Sequence, residues 1–187
     1  MNASVWLDNF DAAKEAARKS RKPILLQFDV EGCGGCKKLY ETTYADAKTA
    51  EELSEFFVLL RLDIIAHRDV RRLYGAYWTP SFYFLDYNGK SYFDCKGYFP
   101  PQEFRILLRA GFAETAVPKG RFKEALDFIE RDFDELSASN LAPKIIVLKG
   151  MIEFLQTRDD EKFRELMKSI KKKYPESIEA KQYFWEK

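Results

Sequence analysis

The chain has 187 residues, of which 46% are hydrophobic and 16% aromatic; this composition supports a sizeable buried core and argues against disorder. Basic and acidic residues nearly balance, with a formal net charge of +1, so we predict neither nucleic acid nor an acidic membrane surface as a partner. No apolar run reaches the roughly 18 residues of a membrane-spanning helix, so we predict no membrane insertion of this chain.

Periodicity in the first part of the chain predicts alternating helices and strands. Small and aromatic residues at helical spacing after Phe10 predict a helix that ends at Lys22-Pro23. A β-branched and aromatic run then predicts a strand over 24–30. The predictions that follow are, in chain order, a helix in two pieces from Cys36 to about Phe56, a strand over 57–63, a short helix over 68–74, a hairpin of strands over 81–86 and 90–96, and a helix from Pro100-Pro101 through Phe112. This order is typical of an α/β fold.

Residues 118–187 differ from the rest because one helical pattern follows another. The predicted helices begin at Gly120, extend over 142–156 and 160–174, and begin again at Ile178. The spacing of small and aromatic residues resembles that of tetratricopeptide helix pairs, as in Gly120, Phe122 and Ala125 and again in Tyr174, Pro175 and Ala180. We therefore predict two domains, one over residues 1–115 and an all-α helical annex over residues 118–187.

The segment Cys33-Gly34-Gly35-Cys36 lies between a predicted strand and a predicted helix. Two cysteines three residues apart at the first turn of a helix are close enough to join or to exchange partners. The backbone N–H groups and positive dipole end of a helix N-terminus favour the thiolate, which is the form that attacks a disulfide. The pattern predicts a redox dithiol. Cys33, nearer the helix start, is the candidate nucleophile, and Cys36 is the candidate resolving thiol.

The element order and several further residues resemble the thioredoxin family over about residues 5–113. Lys37 follows the second cysteine as in that family, Thr79-Pro80 falls where the family keeps a cis-proline, and Gly97 ends the last strand where the family has a glycine. The resemblance implies a central mixed four-stranded sheet flanked by helices, followed here by the helical annex. Three segments, 22–26, 36–39 and 97–99, resemble most the thioredoxin-like domains of bacterial disulfide-handling systems, among them the soluble domain of the transmembrane disulfide reductases.

The resemblance also implies where a substrate binds. A cis bond before Pro80 would place the backbone groups of Thr79 against the Cys33 sulfur and a bound peptide. The alternative is a trans proline at the start of a strand. Aromatic pairs beside this turn and the last strand either belong to the core or form the floor of a peptide groove. The predicted substrate-binding residues are Trp78, Thr79, Pro80 and Gly97.

Two departures from the family pattern affect the dithiol. The family's buried acid, six residues before the first cysteine, is replaced by Gln27, which cannot accept the proton of Cys36. Asp29 and Glu31 lie nearer the motif and either assist through water or are plain surface charges. Two glycines in place of Gly-Pro make the loop between the cysteines more flexible. The predicted modulating residues are therefore Gln27, Asp29, Gly34, Gly35 and Lys37.

The third cysteine, Cys95, shares one face of its predicted strand with Phe93. We interpret it as a small core residue, with a resolving thiol as the minor alternative. A zinc site needs four ligands, and the chain offers only its three cysteines and the single histidine His67. We predict no metal and no cofactor.

The leading hypothesis is a thiol–disulfide oxidoreductase that reduces or exchanges protein disulfides, with an unidentified redox partner. The alternative is a non-catalytic thioredoxin-like and helical-repeat adaptor that binds proteins. The N-terminus lacks the charged-then-apolar layout of a secretory signal. We therefore expect a cytoplasmic protein, or a periplasmic one if an export signal has been removed.

Overall fold

The computed structural model describes residues 5–182 and contains a mixed sheet of five strands in the order β1-β3-β2-β4-β5. The strands are β1 (Trp6–Leu7), β2 (Ile24–Asp29), β3 (Val58–Asp63), β4 (Ser81–Leu85) and β5 (Ser91–Lys96). Strands β1 and β2 run parallel to β3, whereas β4 runs antiparallel to β2 and β5. The predicted α/β fold is confirmed. The sheet has five strands instead of the predicted four. The additional strand is β1, whose two residues are too few to show a strand pattern.

Helices cover both faces of the sheet. They are α1 (Phe10–Ser20), α2 (Gly34–Lys38), α3 (Ala47–Phe56), α4 (Arg68–Leu73), α5 (Pro101–Ala116), α6 (Phe122–Glu130), α7 (Phe133–Leu136), α8 (Ala142–Thr157), α9 (Asp160–Lys173) and α10 (Ile178–Gln182). Within residues 5–182, every helix is too short or too polar to cross a membrane. The ends of the predicted domains, at 1–4 and 183–187, lie outside the described residues.

Strand β2 lies in the middle of the sheet and is buried on both faces. Alternate residues of a strand point to opposite faces, so Leu26 packs with Ala17 of α1 and Val70 of α4. Leu25 belongs instead to the cluster on the other face, which includes Leu53 of α3. This burial explains why β2 is a continuous apolar run interrupted by a single amide, and it fixes the position of the segment that follows β2.

The C-terminal helices pack directly on the part of the molecule that contains the sheet. Phe112 of α5, Phe128 of α6 and Ile145 of α8 belong to the same apolar cluster as the sheet residue Leu25. Phe56 of α3 stacks on Phe128 with ring centroids 3.7 Å apart. The helical C-terminal region is confirmed, and it shares its core with the sheet. The tetratricopeptide resemblance stays a prediction.

A buried ion cluster connects α3, α5 and the junction of α6 with α7. The carboxylate of Glu52 accepts hydrogen bonds from Arg105 at 2.7 and 2.9 Å and from Arg109 at 2.8 and 2.9 Å. All three side chains are at most 2% exposed. Arg105 also binds Asp132 at 2.5 Å and Glu135 at 3.1 Å. Glu52 balances one of the two guanidinium charges, and these two acids from the α6–α7 region balance the other.

Replacing Glu52 by glutamine should destabilise the fold strongly. Glutamine keeps the size of the side chain but leaves two buried guanidinium groups without their central charge, which costs about 3–5 kcal/mol for a buried pair. The control is Glu51→Gln, which weakens only the surface pair with Arg131 and should cost less than about 1 kcal/mol. Urea unfolding followed by circular dichroism measures both. Equal losses in the two variants would contradict this account of the cluster.

Candidate active site

The two cysteines lie at the junction of β2 and α2. The Cys33 N–H donates to the carbonyl of Val30 at 3.2 Å, so the chain turns immediately after the strand. Cys33 is the N-cap residue of α2, and its sulfur accepts the Cys36 N–H at 3.1 Å. The two cysteines form a disulfide with Cα atoms 5.3 Å apart. Cys33 is partly exposed and Cys36 is buried, so an incoming sulfur can reach Cys33 more easily.

The loop with the cis-proline packs directly against the dithiol. The Thr79–Pro80 bond is cis, as predicted. A Cβ atom added to Gly35 would lie 3.0 Å from Cδ of Pro80, so this close approach favours glycine at position 35. Gly97 has φ +105° and donates its N–H to the Pro80 carbonyl at 2.8 Å. The structure therefore brings Thr79 and Pro80 to the loop between the cysteines, and Gly97 binds this proline from the end of β5.

An apolar groove of about 470 Å³ opens beside Cys33. Trp78 and Tyr77 line it and are 59% and 76% exposed. Both side chains therefore lie at the surface and do not belong to the core, which was the alternative interpretation of these aromatic residues. Ile65, in the loop after β3, also lines the groove and is 56% exposed; the sequence analysis did not single it out. Large apolar side chains with this exposure form a surface that a partner can cover.

Gln27 is fully buried and belongs to a chain of hydrogen bonds. Tyr44 donates its O–H to Oε1 of Gln27 at 2.6 Å, and Nε2 of Gln27 donates to the Tyr40 oxygen at 3.1 Å. Tyr40 in turn donates to Oδ2 of Asp29 at 2.5 Å. Asp29 also faces Arg61 of β3, with an N–O distance of 3.7 Å. Gln27 thus stands at the position of the family's buried acid, and its hydrogen-bond partners are two tyrosines. The acid in this network is Asp29, at its outer end.

Both tyrosines of this network remain neutral at physiological pH. Burial first, and then the hydrogen bond to Asp29, raises the pKa of Tyr40 to about 12. Burial raises the pKa of Tyr44 well above its ordinary value. Neutral phenols act as hydrogen-bond donors, so the network holds Gln27 and Asp29 in fixed orientations.

A π-helical turn brings the two tyrosines to Gln27. It covers Leu39–Thr43, between α2 and α3, and the Tyr44 N–H donates to the Leu39 carbonyl at 3.0 Å. This is the interruption that the sequence predicts within the helix after Cys36. Thr43 anchors the turn by donating its hydroxyl to the Phe99 carbonyl at 2.6 Å. Single π turns inside helices are frequent at functional sites.

The other predicted modulating residues lie at the surface. Gly34 has open space around its Cα atom. Lys37 is exposed and lies 3.8 Å from Glu41 of the next helical turn. Glu31 is exposed as well. Within residues 5–182, neither charged side chain forms an ion pair or a side-chain hydrogen bond with a cysteine, so the modulating role of Lys37 stays a prediction.

Cys95 is the free cysteine among the described residues and lies on β5, paired with Phe82 of β4. It packs against the main apolar cluster together with Phe93, in agreement with its interpretation as a core residue. Burial raises the pKa of its thiol to about 12, so it stays protonated at neutral pH. Within residues 5–182, no three histidine, cysteine or acidic side chains form a group that could hold a metal ion.

Residues 10–112 match the family described as the thioredoxin-like domain, which is more than half of the chain. The protein belongs to the thioredoxin-like family. The matched segment contains the dithiol, the cis-proline and the whole sheet except β1, and it ends within α5. The helices from α6 onward lie outside it.

Individual relatives are distant. The chain is 24% identical over 97 residues to the thiol:disulfide interchange protein DsbD of Campylobacter jejuni, and this match covers 50% of the chain but only 17% of that relative. A thioredoxin from Thermus thermophilus aligns with a TM-score of 0.52 at 22% identity, covering 57% of this chain and 85% of the other. A putative disulphide-isomerase from Bacteroides thetaiotaomicron aligns with the same TM-score and identity, covering 59% and 96%. These similarities support the thioredoxin-like fold.

After reduction with dithiothreitol, iodoacetamide at neutral pH should alkylate Cys33 before the other thiols. Cys33 is partly exposed and lies at the helix N-terminus, which favours its thiolate, whereas Cys36 is buried. Labelling of Cys95 should become fast only as the pH approaches its pKa of about 12. Peptide mass spectrometry over time and pH measures each site. First labelling at Cys36 or Cys95 would contradict the assignment of the accessible thiol.

Proposed function

We propose that this protein is a thiol–disulfide oxidoreductase that reduces or exchanges disulfides of other proteins through Cys33 and Cys36. The observation that carries the proposal is the position of the dithiol. A partly exposed Cys33 is joined to a buried Cys36, beside a cis-proline and an apolar groove. Membership of the thioredoxin-like family supports this reading.

The reaction has two exchange steps. In the first, the Cys33 thiolate attacks one sulfur of a substrate disulfide, a mixed disulfide forms, and the other substrate sulfur leaves as a thiolate. In the second, Cys36 loses its proton and attacks the Cys33 sulfur. The bond between Cys33 and the substrate breaks, and the substrate leaves reduced while the protein becomes oxidised. A dithiol donor then reduces the Cys33–Cys36 disulfide.

The groove is the proposed binding site for the substrate chain. The exposed side chains of Tyr77 and Trp78 cover apolar residues next to the substrate cysteine. The backbone groups of Thr79 pair with the substrate backbone, as a short β-type interaction. The Pro80 carbonyl already accepts the Gly97 N–H, so this bond fixes the position of the loop.

The second step requires an acceptor for the Cys36 proton. Gln27 cannot serve, because an amide has no basic site at neutral pH. We propose Asp29 as the acceptor: it is the last residue of β2, the strand that leads to the dithiol, and its carboxylate is held by the hydrogen bond from Tyr40. The charged and titratable groups around Asp29 are Arg61 and Asp63 of β3 and the phenols of Tyr40 and Tyr44.

Replacing Gln27 by glutamate tests whether the second step is limited by the missing carboxylate. Glutamate has the same length and keeps the oxygen that accepts the Tyr44 hydrogen bond. Burial raises the pKa of a carboxyl group, which makes it a better proton acceptor near neutral pH. We expect Gln27→Glu to resolve a mixed disulfide at Cys33 at least about tenfold faster near neutral pH. Stopped-flow fluorescence with a labelled mixed disulfide measures the rate across pH.

The same variant should lose stability as the pH rises. A carboxyl whose folded pKa is raised binds its proton more tightly in the folded state, so stability falls above the unfolded pKa and is lowest above the folded pKa. Melting temperatures should therefore match wild type near pH 4 and fall below it at alkaline pH. Asp29→Asn is the matched variant and should slow the wild-type step. If Gln27→Glu is no faster, the missing acid does not limit the reaction, and an unchanged rate in Asp29→Asn would overturn the role of Asp29.

Insulin reduction by dithiothreitol tests the proposed function itself. We expect the protein to accelerate precipitation of the insulin B chain, and Cys33→Ser to abolish the acceleration because the mixed disulfide cannot form. Cys95→Ser is the matched control and should retain the full rate, since this thiol lies in the core. Equal rates with wild type and Cys33→Ser would overturn the proposed oxidoreductase activity and favour the alternative, a non-catalytic adaptor that binds proteins.

A further inference from the structure

A large cleft lies at the opposite end of the sheet from the dithiol. Lys22 and Pro23, directly before β2, form one part of it, and Asp86 and Tyr87, directly after β4, form another. The dithiol follows the other end of β2, whose six residues span about 20 Å. The first turns of α6 form the facing wall. The cleft, which we call the α1–α6 cleft, has a volume of about 1180 Å³.

The floor of the α1–α6 cleft is apolar and rigid. It is formed by Pro23 and by the stacked rings of Phe56 and Phe128, with Phe112 packed edge-on against both. Tyr87 stands at the rim and is 41% exposed. Phe56 is the partly exposed ring of this set, whereas Phe112 and Phe128 are 3% and 1% exposed and pack against it. A ring held in this way offers a preformed surface for an apolar side chain, at little cost in conformational entropy.

The acidic side chains that line the cleft all have ion-pair partners, whereas some of the basic ones do not. All four acidic side chains have a cationic partner within 4 Å: Glu55 with Arg131, Asp86 with Lys119, Glu124 with Arg121 and Asp127 with Lys123. Arg18, Arg21 and Lys22 line the opposite wall and form no ion pair with any residue in the described part of the chain. The amine of Lys22 binds only a backbone carbonyl, that of Ser54, at 2.9 Å. This wall therefore carries positive charge that the protein itself does not neutralise.

The position of Arg21 is fixed from the other side of the cleft. Arg21 is the C-cap of α1 and has φ +60°, an uncommon conformation for a residue other than glycine. Nη1 of Arg121 donates to the Arg21 carbonyl at 3.0 Å and so joins the two walls. Arg18, one turn earlier on α1, lies over the Tyr87 ring at 5.9 Å. Both guanidinium groups thus stand on a fixed backbone beside the apolar floor.

We propose that the α1–α6 cleft binds an acidic peptide segment of a partner protein. Carboxylates of the segment pair with Arg18, Arg21 and Lys22, and one of its large apolar side chains lies on the exposed part of Phe56. The volume exceeds the roughly 300–1,000 Å³ of most small-molecule sites, which suits a peptide segment. Because the dithiol lies at the other end of β2, a partner held here leaves the dithiol accessible.

The test uses the full-length protein and two fluorescein-labelled peptides. One peptide carries three glutamates around a single phenylalanine, and the other has glutamines in place of the glutamates. Fluorescence anisotropy should show saturable, salt-sensitive binding of the acidic peptide and none of the neutral one. The double variant R18Q/R21Q should bind the acidic peptide about tenfold more weakly, because it loses two charge-assisted contacts.

The matched control is Lys19→Gln. Lys19 is also an exposed cation of α1, but it pairs with Glu15 and does not line the cleft. This variant should bind the acidic peptide within about twofold of wild type. Insulin reduction should be unchanged in R18Q/R21Q, so failure of the cleft and failure of the proposed function are separate results. Equal binding by R18Q/R21Q and Lys19→Gln, or binding of the neutral peptide as tight as that of the acidic one, would each overturn the proposal.

Discussion

The buried carboxylate of Glu52 is the interaction on which the arrangement of the two halves of the chain depends. It belongs to α3, beside the sheet, and it holds two arginines of α5 that also bind the α6–α7 region. Moving α6 and α7 away from α5 would leave Arg105 without two of its acidic partners. Because a buried charge without its partner is costly, the ion cluster disfavours separation of the halves more specifically than apolar packing alone.

This rigid core fixes both ends of β2, and the two ends carry different chemistry. The end that leads into Cys33 is surrounded by exposed apolar side chains, whereas the end that begins after Lys22 is surrounded by charged ones. Helix α5 supports the second end through Phe112, which packs against both Phe56 and Phe128. The C-terminal helices therefore complete one end of the sheet and leave the dithiol end open.

Most of the fold was predictable because each long element carries its own pattern. The apolar run of β2 and the alanines of α1 specify a buried strand and an amphipathic helix without reference to the rest of the chain. Strand β1 was not predictable, since its two residues pair with β3 only through a register that the tertiary structure sets. Helix α7 was missed for a similar reason: it has four residues, and it begins after Asp132, which has φ +54° and is held by Arg105.

The candidate active site likewise has parts that local sequence specifies and parts that only the tertiary structure sets. The cysteine pair and the proline that follows Thr79 are local motifs, so the sequence located them, but the partners of Gln27 were not predictable. An amide buried in a strand must have hydrogen-bond partners, because leaving its donor and acceptor unpaired costs about 1–3 kcal/mol. The sequence therefore implies that partners exist, yet Tyr40 and Tyr44 reach this amide only through a π-helical turn that residue propensities do not specify. At position 27 the chain therefore carries a neutral amide whose oxygen and nitrogen each have a hydrogen-bond partner, so the strand avoids the cost of a buried charge.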